Sequence, residues 1–179
     1  MREQRALQDA RRDREFEEFA AGTAGRLLHT ASLLTAEDPA DNPRARRLTV
    51  LSLAHTYACW DGLRGEDPYQ HARRYLAVRF AHEAWRHRGR ALLPGRRRPT
   101  GALGGFTPQE RLVLVLRVYE GVAEEQVAAL LALPVERVRA LHDRAVSALL
   151  RPPGRGRRPG GGSGDAVSGT RARGSGGRR

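Results

Sequence analysis

The chain has 179 residues, a formal net charge of +12 at pH 7 and a sequence pI near 11.4, and all 32 of its basic side chains are arginine. A single cysteine rules out a disulfide framework or a cysteine metal cluster, no apolar run reaches membrane-spanning length, and the N-terminus lacks the apolar centre of a signal peptide. Without nucleotide-binding, hydrolase or zinc-protease motifs, we expect a cytoplasmic protein that is not an enzyme and has no catalytic residue, cofactor or metal site.

Apolar residues at helical spacing predict an N-terminal helical body over residues 13–85. Its first helix is expected to begin near Asp13. The predicted inward side of this helix is formed by Phe16, Phe19, Ala20, Leu27 and Leu28. Residues 35–43 are predicted to form a loop because proline, aspartate and asparagine dominate them.

Two further helices complete this body. The first is predicted over residues 44–62, and the second over residues 67–88, where Asp67 caps the helix and Pro68 takes its first position. The residues expected to face inward from the first of these are Leu48, Leu51, Leu53, Ala54 and Ala58.

Two segments differ in composition from the helical bodies. Residues 86–105 hold glycine clusters, prolines and arginines, which predicts a flexible basic linker. Residues 151–179 contain eight arginines and one aspartate, so this segment carries +7 of the net charge of +12. Its lack of apolar residues predicts a disordered tail, either a nonspecific nucleic-acid arm or a solvated extension.

A second helical body is predicted over residues 106–150, as three short helices with tight joints. Thr107, Pro108 and Glu110 form the pattern of a capping box with proline at the first helical position. Gly121 is expected to end the first of these helices. No alternating strand pattern of useful length occurs, so the predicted fold is all-α.

The last helix is predicted to present an arginine-rich face opposite its apolar face. A helix-turn-helix unit that reads DNA needs cationic donors on its second helix for phosphates and base edges. The predicted DNA-binding residues are Glu136, Arg137, Arg139, Ala140, Asp143 and Arg144. The alternative is an ordinary three-helix bundle built on the same amphipathic pattern.

These motifs together resemble a bacterial RNA polymerase sigma factor of the small extracytoplasmic-function type, SigE-like, from actinobacteria. Residues 107–111, TPQER, resemble the start of that family's promoter-recognition domain, and residues 119–121, YEG, resemble its usual helix end. Residues 124–128, EEQVA, resemble its middle helix, and residues 131–135, LALPV, its turn. The resemblance implies that the last helix reads an upstream promoter element.

The N-terminal resemblance is looser and rests on FEEF at residues 16–19, on Tyr57 and Trp60, and on Asp67 and Pro68. It implies contacts with the polymerase core, at the β′ clamp, and with a downstream promoter element. The implied core-binding residues are Arg46, Arg47, Val50 and Leu51. The implied downstream-element residues are Arg73, Arg74, Val78 and Arg79.

The sequence departs from the family pattern at the clamp-docking run. Arg46 and Arg47 stand where the family carries acids, and Val78 stands where it carries an asparagine. Against a basic partner surface each charge reversal replaces attraction by repulsion, which can cost several kcal/mol. Ala123 and Pro134 also lack the hydroxyl of a helix cap.

Three functions therefore remain open from the sequence. The first is a working sigma factor, whose expected partners are promoter DNA, core polymerase and an anti-sigma factor, with no membrane. The second is a sigma-derived DNA-binding regulator that no longer docks on the core. The third is a LuxR-type helix-turn-helix regulator, which the helical N-terminal body disfavours.

Overall fold

A computed structural model describes residues 2–86 and 100–151. Within these residues the regular structure is helical, apart from one isolated bridge between Asp38 and Asp41, which confirms the all-α prediction. The helices are α1 (Arg2–Thr35), α2 (Pro43–Ala58), α3 (Pro68–Arg86), α4 (Pro108–Leu114), α5 (Glu124–Leu131) and α6 (Val135–Leu149). The predictions for the tail beyond residue 151 and for linker residues 87–99 lie outside the described residues.

Helix α1 begins at Arg2, so the predicted start near Asp13 is wrong. Residues 2–12 have no apolar face, but arginine, glutamine, glutamate, alanine and leucine are all good helix formers. An ion pair between Arg11 and Glu15, 2.7 Å long and four residues apart, adds local support. Helical propensity therefore extends the helix where periodicity of apolar residues gives no signal.

Helix α2 buries small polar residues rather than the alanines expected from the apolar pattern. Ala54 and Ala58 are exposed, so their predicted inward placement is wrong. The hydroxyls of Thr49, Ser52 and Thr56 each donate to the backbone carbonyl four residues earlier, at 2.9, 2.8 and 2.9 Å. Because these hydroxyls are satisfied within the helix, they can be buried against α1 and α3 without a lost hydrogen bond.

An aromatic cluster joins the middle of α1 to the end of α2. The Phe16 ring lies 4.9 Å from Tyr57 and 5.2 Å from Trp60 between ring centroids, both edge-on. The Tyr57 hydroxyl donates a 2.6 Å hydrogen bond to Asp13, which raises the pKa of that phenol. These contacts close α1 onto the short 3₁₀ turn Trp60–Gly62.

Both predicted starts of capped helices are confirmed. Asp67 accepts a 2.9 Å hydrogen bond from the backbone N–H of Tyr69 at the start of α3. At the start of α4 the Thr107 hydroxyl accepts from the N–H of Glu110 at 3.3 Å, and the Glu110 carboxylate accepts from the N–H of Thr107 at 2.9 Å. This reciprocal pair is a complete capping box.

Helix α4 continues into a π-helical turn, Val115–Tyr119, which the sequence does not predict. Its wider ladder is visible in the bond from the N–H of Glu120 to the carbonyl of Val115, 2.9 Å long. One extra residue turns the following side chain by about 100° relative to a regular helix. Gly121, with φ of 66°, then ends the segment as expected.

The two predicted bodies share one core. Buried residues from α1, α2 and α3 form a single apolar cluster with those of α4, α5 and α6, including Leu34, Phe80, Leu112, Val127 and Val138. The segment before α4 also pairs with the end of α1, through a 2.9 Å bond from the Gly101 N–H to the Ala36 carbonyl. A Cβ at position 101 would lie 2.6 Å from the Glu37 carbonyl oxygen, so this approach requires glycine.

Candidate nucleic-acid interface

Helices α5 and α6 are joined by three residues, Ala132, Leu133 and Pro134, the connection length of a helix-turn-helix unit. Ala132 has φ of 51°, in the left-handed region, and the Leu133 N–H donates to the Ala128 carbonyl at 3.0 Å. The sharp turn therefore stores strain at a position that glycine would occupy freely.

Buried contacts fix the orientation of α6. Val127 and Leu131 of α5 meet Val138 and Leu141 of α6 in the core, and Ala145 is also fully buried. Neither α5 nor α6 has a side-chain N-cap, in agreement with the residues at positions 123 and 134. Packing against the core rather than capping therefore positions this pair of helices.

The predicted DNA-binding face of α6 is exposed. All of its six residues are exposed: Glu136, Arg137, Arg139, Ala140, Asp143 and Arg144. The sequence prediction thus identifies the solvent side of α6.

The arginines on this face differ in their partners. Arg139 lies 2.8 Å from Glu124 of α5, and Arg144 lies 3.8 Å from Glu110 of α4. Arg137 has no side-chain ion pair with the residues that the structure describes. Among the arginines of this face, Arg137 can therefore bind an anion without first breaking an ion pair to a described residue.

The predicted core-binding residues lie on the outer side of α2. Arg46 and Arg47 are exposed, Val50 keeps 63% of its surface exposed, and Leu51 is half-buried. The Arg46 guanidinium also donates to the Asn42 side chain at 3.0 Å. Arg46 and Arg47 thus form a basic surface on α2, which also carries the exposed apolar side chain of Val50.

The predicted downstream-element residues on α3 are not equally available. Arg73 is directed towards Glu120 at 3.6 Å and its side chain is only 16% exposed, whereas Arg74 is exposed. Val78 is half-buried, and Arg79 lies 3.4 Å from Glu83. Of the three arginines in this set, Arg74 is therefore the exposed one without an ion pair to the described residues.

A buried carboxylate at the junction of the two bodies is absent from the sequence prediction. The Glu120 side chain has no exposed surface, and it accepts hydrogen bonds from Thr30 at 2.6 Å, Tyr69 at 2.7 Å and Arg26 at 3.0 Å. Burial, the hydrogen bond to Glu120 and its negative charge raise the pKa of the Tyr69 hydroxyl, so the phenol remains a donor. Glu120 and these donors join α1, α3 and the π turn.

Arg111 makes a second polar contact across the same junction. The residue is 5% exposed, and its guanidinium donates to the carbonyl of Thr35 at 3.3 Å. Burial, with a smaller contribution from the charge of Arg44, lowers the pKa of Arg111 to about 10. The contact is favourable because the C-terminal end of a helix such as α1 carries partial negative charge.

Comparisons with known proteins agree with this geometry. Residues 102–150, which include α4, α5 and α6, match the family described as sigma-70, region 4. The chain is 28% identical over 152 residues to an RNA polymerase sigma-E factor of Streptomyces avermitilis, covering 75% of this chain and 83% of the relative. A Streptomyces coelicolor protein of the same name is 27% identical over 152 residues, covering 75% and 84%. No solved structure matches.

The helical fold and the region 4 match indicate the class of protein: residues 102–150 carry a sigma-70 region 4 domain, and the chain as a whole is similar to sigma factors, the proteins of transcription initiation. Within that class the similarity to three Streptomyces sigma-E factors supports the extracytoplasmic-function type of actinobacteria. This similarity favours the two sigma interpretations over the LuxR-type alternative. None of the helices in residues 2–86 and 100–151 is long and apolar enough to cross a membrane.

Proposed function

We propose that the chain reads promoter DNA through α6 and docks on core RNA polymerase through its N-terminal helices. The observation that carries the first part is the exposed charged face of α6, which a three-residue turn holds against the buried side of α5. A major groove admits such a helix, and arginine pairs bidentately with guanine edges or contacts phosphates.

The ion pairs suggest an order of roles on this face. Arg137 is the first candidate for a base or phosphate contact. Arg139 and Arg144 would have to leave Glu124 and Glu110, or share them, before contacting DNA. Glu136 and Asp143 would repel phosphate, so they either accept from a cytosine amino group or stay outside the contact.

The second part of the proposal concerns α2. The exposed Arg46 and Arg47, with Val50 and Leu51, would contact the β′ clamp. Their reversed charge supports the competing proposal of a sigma-derived regulator that binds DNA without docking on the core. If the protein is a working sigma factor that docks on the core, an anti-sigma factor is a further proposed partner.

DNA reading can be tested with duplexes enriched by the wild-type protein from a random-sequence library. Replacing Arg137 by alanine is expected to weaken binding by about 1–3 kcal/mol if the side chain reads a base. The control is Arg5→Ala, which removes an exposed arginine from the start of α1. Equal gel-shift affinities for Arg137→Ala and Arg5→Ala would contradict the assignment of α6.

Core docking can be tested by co-purification with core RNA polymerase. Strong binding by the wild type would refute the regulator that has lost docking. Binding only after Arg46→Glu/Arg47→Asp would support that regulator and identify the charge reversal as the cause. The control, Arg2→Glu/Arg5→Asp, makes the same change in net charge at the far end of α1.

A further inference from the structure

Three potential metal ligands meet where α2 ends and α3 begins. The candidate ligand atoms of His55, Cys59 and His71 all lie within 4.8 Å of one another. The Cys59 Sγ is 4.0 Å from the His55 Nε2, and the two imidazole rings stand nearly parallel with centroids 5.3 Å apart.

The local sequence explains this convergence. His55 and Cys59 are four residues apart, so they lie one turn apart on the same side of α2. The turn Trp60–Gly62 reverses the chain, and His71 falls in the first turns of α3, beside them. The sequence does not predict this set, because one cysteine gives no spacing motif and the third residue comes from another helix.

The His71 ring has a buried nitrogen, Nε2, without a hydrogen-bond partner among the described residues. Buried polar side-chain atoms are nearly always satisfied, so an orphan of this kind calls for a partner. The Tyr75 ring stacks on the His55 ring, with centroids 4.1 Å apart, and so restrains the His55 imidazole beside His71.

We propose that His55, Cys59 and His71 form a Zn²⁺ site with water as the fourth ligand. A thiolate and two imidazoles suit zinc, whereas Mg²⁺ and Ca²⁺ require oxygen ligands. Tetrahedral coordination at zinc bond lengths needs ligand atoms roughly 3.4–3.6 Å apart. The ligand atoms, which lie within 4.8 Å of one another, would have to approach by up to about 1.4 Å, through side-chain rotations, to reach this geometry.

The site would act as a clamp within the N-terminal body. It ties the end of α2 to the start of α3, the two helices that carry the proposed polymerase and downstream-element residues. Zinc that binds the folded chain but not the unfolded chain stabilises the fold by mass action. Metal occupancy would therefore set how firmly these two helices are held together.

The experiment titrates Co²⁺, then Zn²⁺, into the full chain, reduced, metal-free and without a histidine tag. We expect one equivalent of Co²⁺ to give tetrahedral visible absorption with a thiolate charge-transfer band, and Zn²⁺ to displace it. Cys59→Ser should lose the charge-transfer band. His71→Gln should weaken Zn²⁺ binding by at least tenfold, since even loss of a second-shell partner costs about 10–100-fold.

The matched control is His82→Gln, an exposed histidine on the same helix α3. It should keep the wild-type spectrum and affinity, and Zn²⁺ should raise the melting temperature of this control and of the wild type but not of Cys59→Ser. The proposal is overturned if no thiolate band forms in the wild type. It is equally overturned if His71→Gln and His82→Gln change the affinity alike, because the metal would then bind adventitiously to surface histidines.

Discussion

The Thr30 hydroxyl donates a 2.6 Å hydrogen bond to Oε1 of Glu120, although 90 residues separate the two in sequence. Thr30 lies on the inner side of α1, and Glu120 follows the π turn after α4. The same carboxylate accepts a 2.7 Å hydrogen bond from the Tyr69 hydroxyl of α3. A single buried acid thus joins the N-terminal helices to the segment that matches sigma-70 region 4.

Removing this acid should destabilise the whole protein. Glu120→Ala is expected to lower the free energy of unfolding by about 3 kcal/mol, because it leaves the Tyr69 hydroxyl and the Arg73 guanidinium without their buried acceptor. The Thr30 hydroxyl keeps an acceptor in the Arg26 carbonyl at 3.0 Å. Glu120→Gln should cost less, since the amide oxygen can still accept from Thr30. Urea unfolding followed by circular dichroism measures both values.

The control for this prediction is Glu17→Ala on the exposed side of α1. It should change stability by less than about 0.5 kcal/mol, as is usual for a surface substitution. If Glu120→Ala unfolds at the same urea concentration as Glu17→Ala, the carboxylate does not hold the two bodies together.

The Glu120 cluster also shows what sequence reasoning can and cannot reach. The capping box at Thr107 and the cap at Asp67 were predictable because each uses residues two or three positions apart. The sequence places Glu120 only at a helix end, in the YEG of residues 119–121. Only the π turn and the approach of α1 and α3 bury it, and neither leaves a local pattern in the sequence.

The same distinction holds for the candidate interface. The exposed face of α6 follows from the period of its apolar residues, so all six predicted residues face solvent. The pairing of Arg139 with Glu124 and of Arg73 with Glu120 depends on how neighbouring helices pack. Sequence could name these arginines but not show that other side chains already engage them.

The arginine-rich tail gives a prediction about salt. Residues 152–179 hold seven arginines and one aspartate, so a chain that ends at Arg151 loses a net charge of +6. If the tail is a nonspecific arm, each lost phosphate contact should reduce the slope of log K against log salt by about 0.9. Affinities at several salt concentrations give the slope, and equal slopes for full and shortened chains would make the tail a solvated extension.

The contact between Arg139 and Glu124 predicts a gain in DNA affinity. Glu124→Gln frees Arg139, which lies 2.8 Å from that carboxylate, and removes a negative charge from the interface. We expect DNA to bind a few-fold more tightly at low salt, with the difference shrinking as salt screens the charges. The double variant Glu124→Gln/Arg139→Ala provides the check: it should lose the gain, and a gain that survives it would show that Arg139 is not responsible.

The turn before α6 predicts a stabilising substitution. Ala132 has φ of 51°, a left-handed conformation that costs an L-residue with a Cβ roughly 1–2 kcal/mol. Because Ala132 is exposed, Ala132→Gly loses little packing, and it should raise the free energy of unfolding by about 0.5–1 kcal/mol. The comparison is Ala129→Gly, at an exposed position inside α5, where glycine should instead cost about 1 kcal/mol. Opposite signs for the two substitutions in thermal unfolding would establish the strained turn, whereas a loss of stability in both would show that the backbone at position 132 is not left-handed.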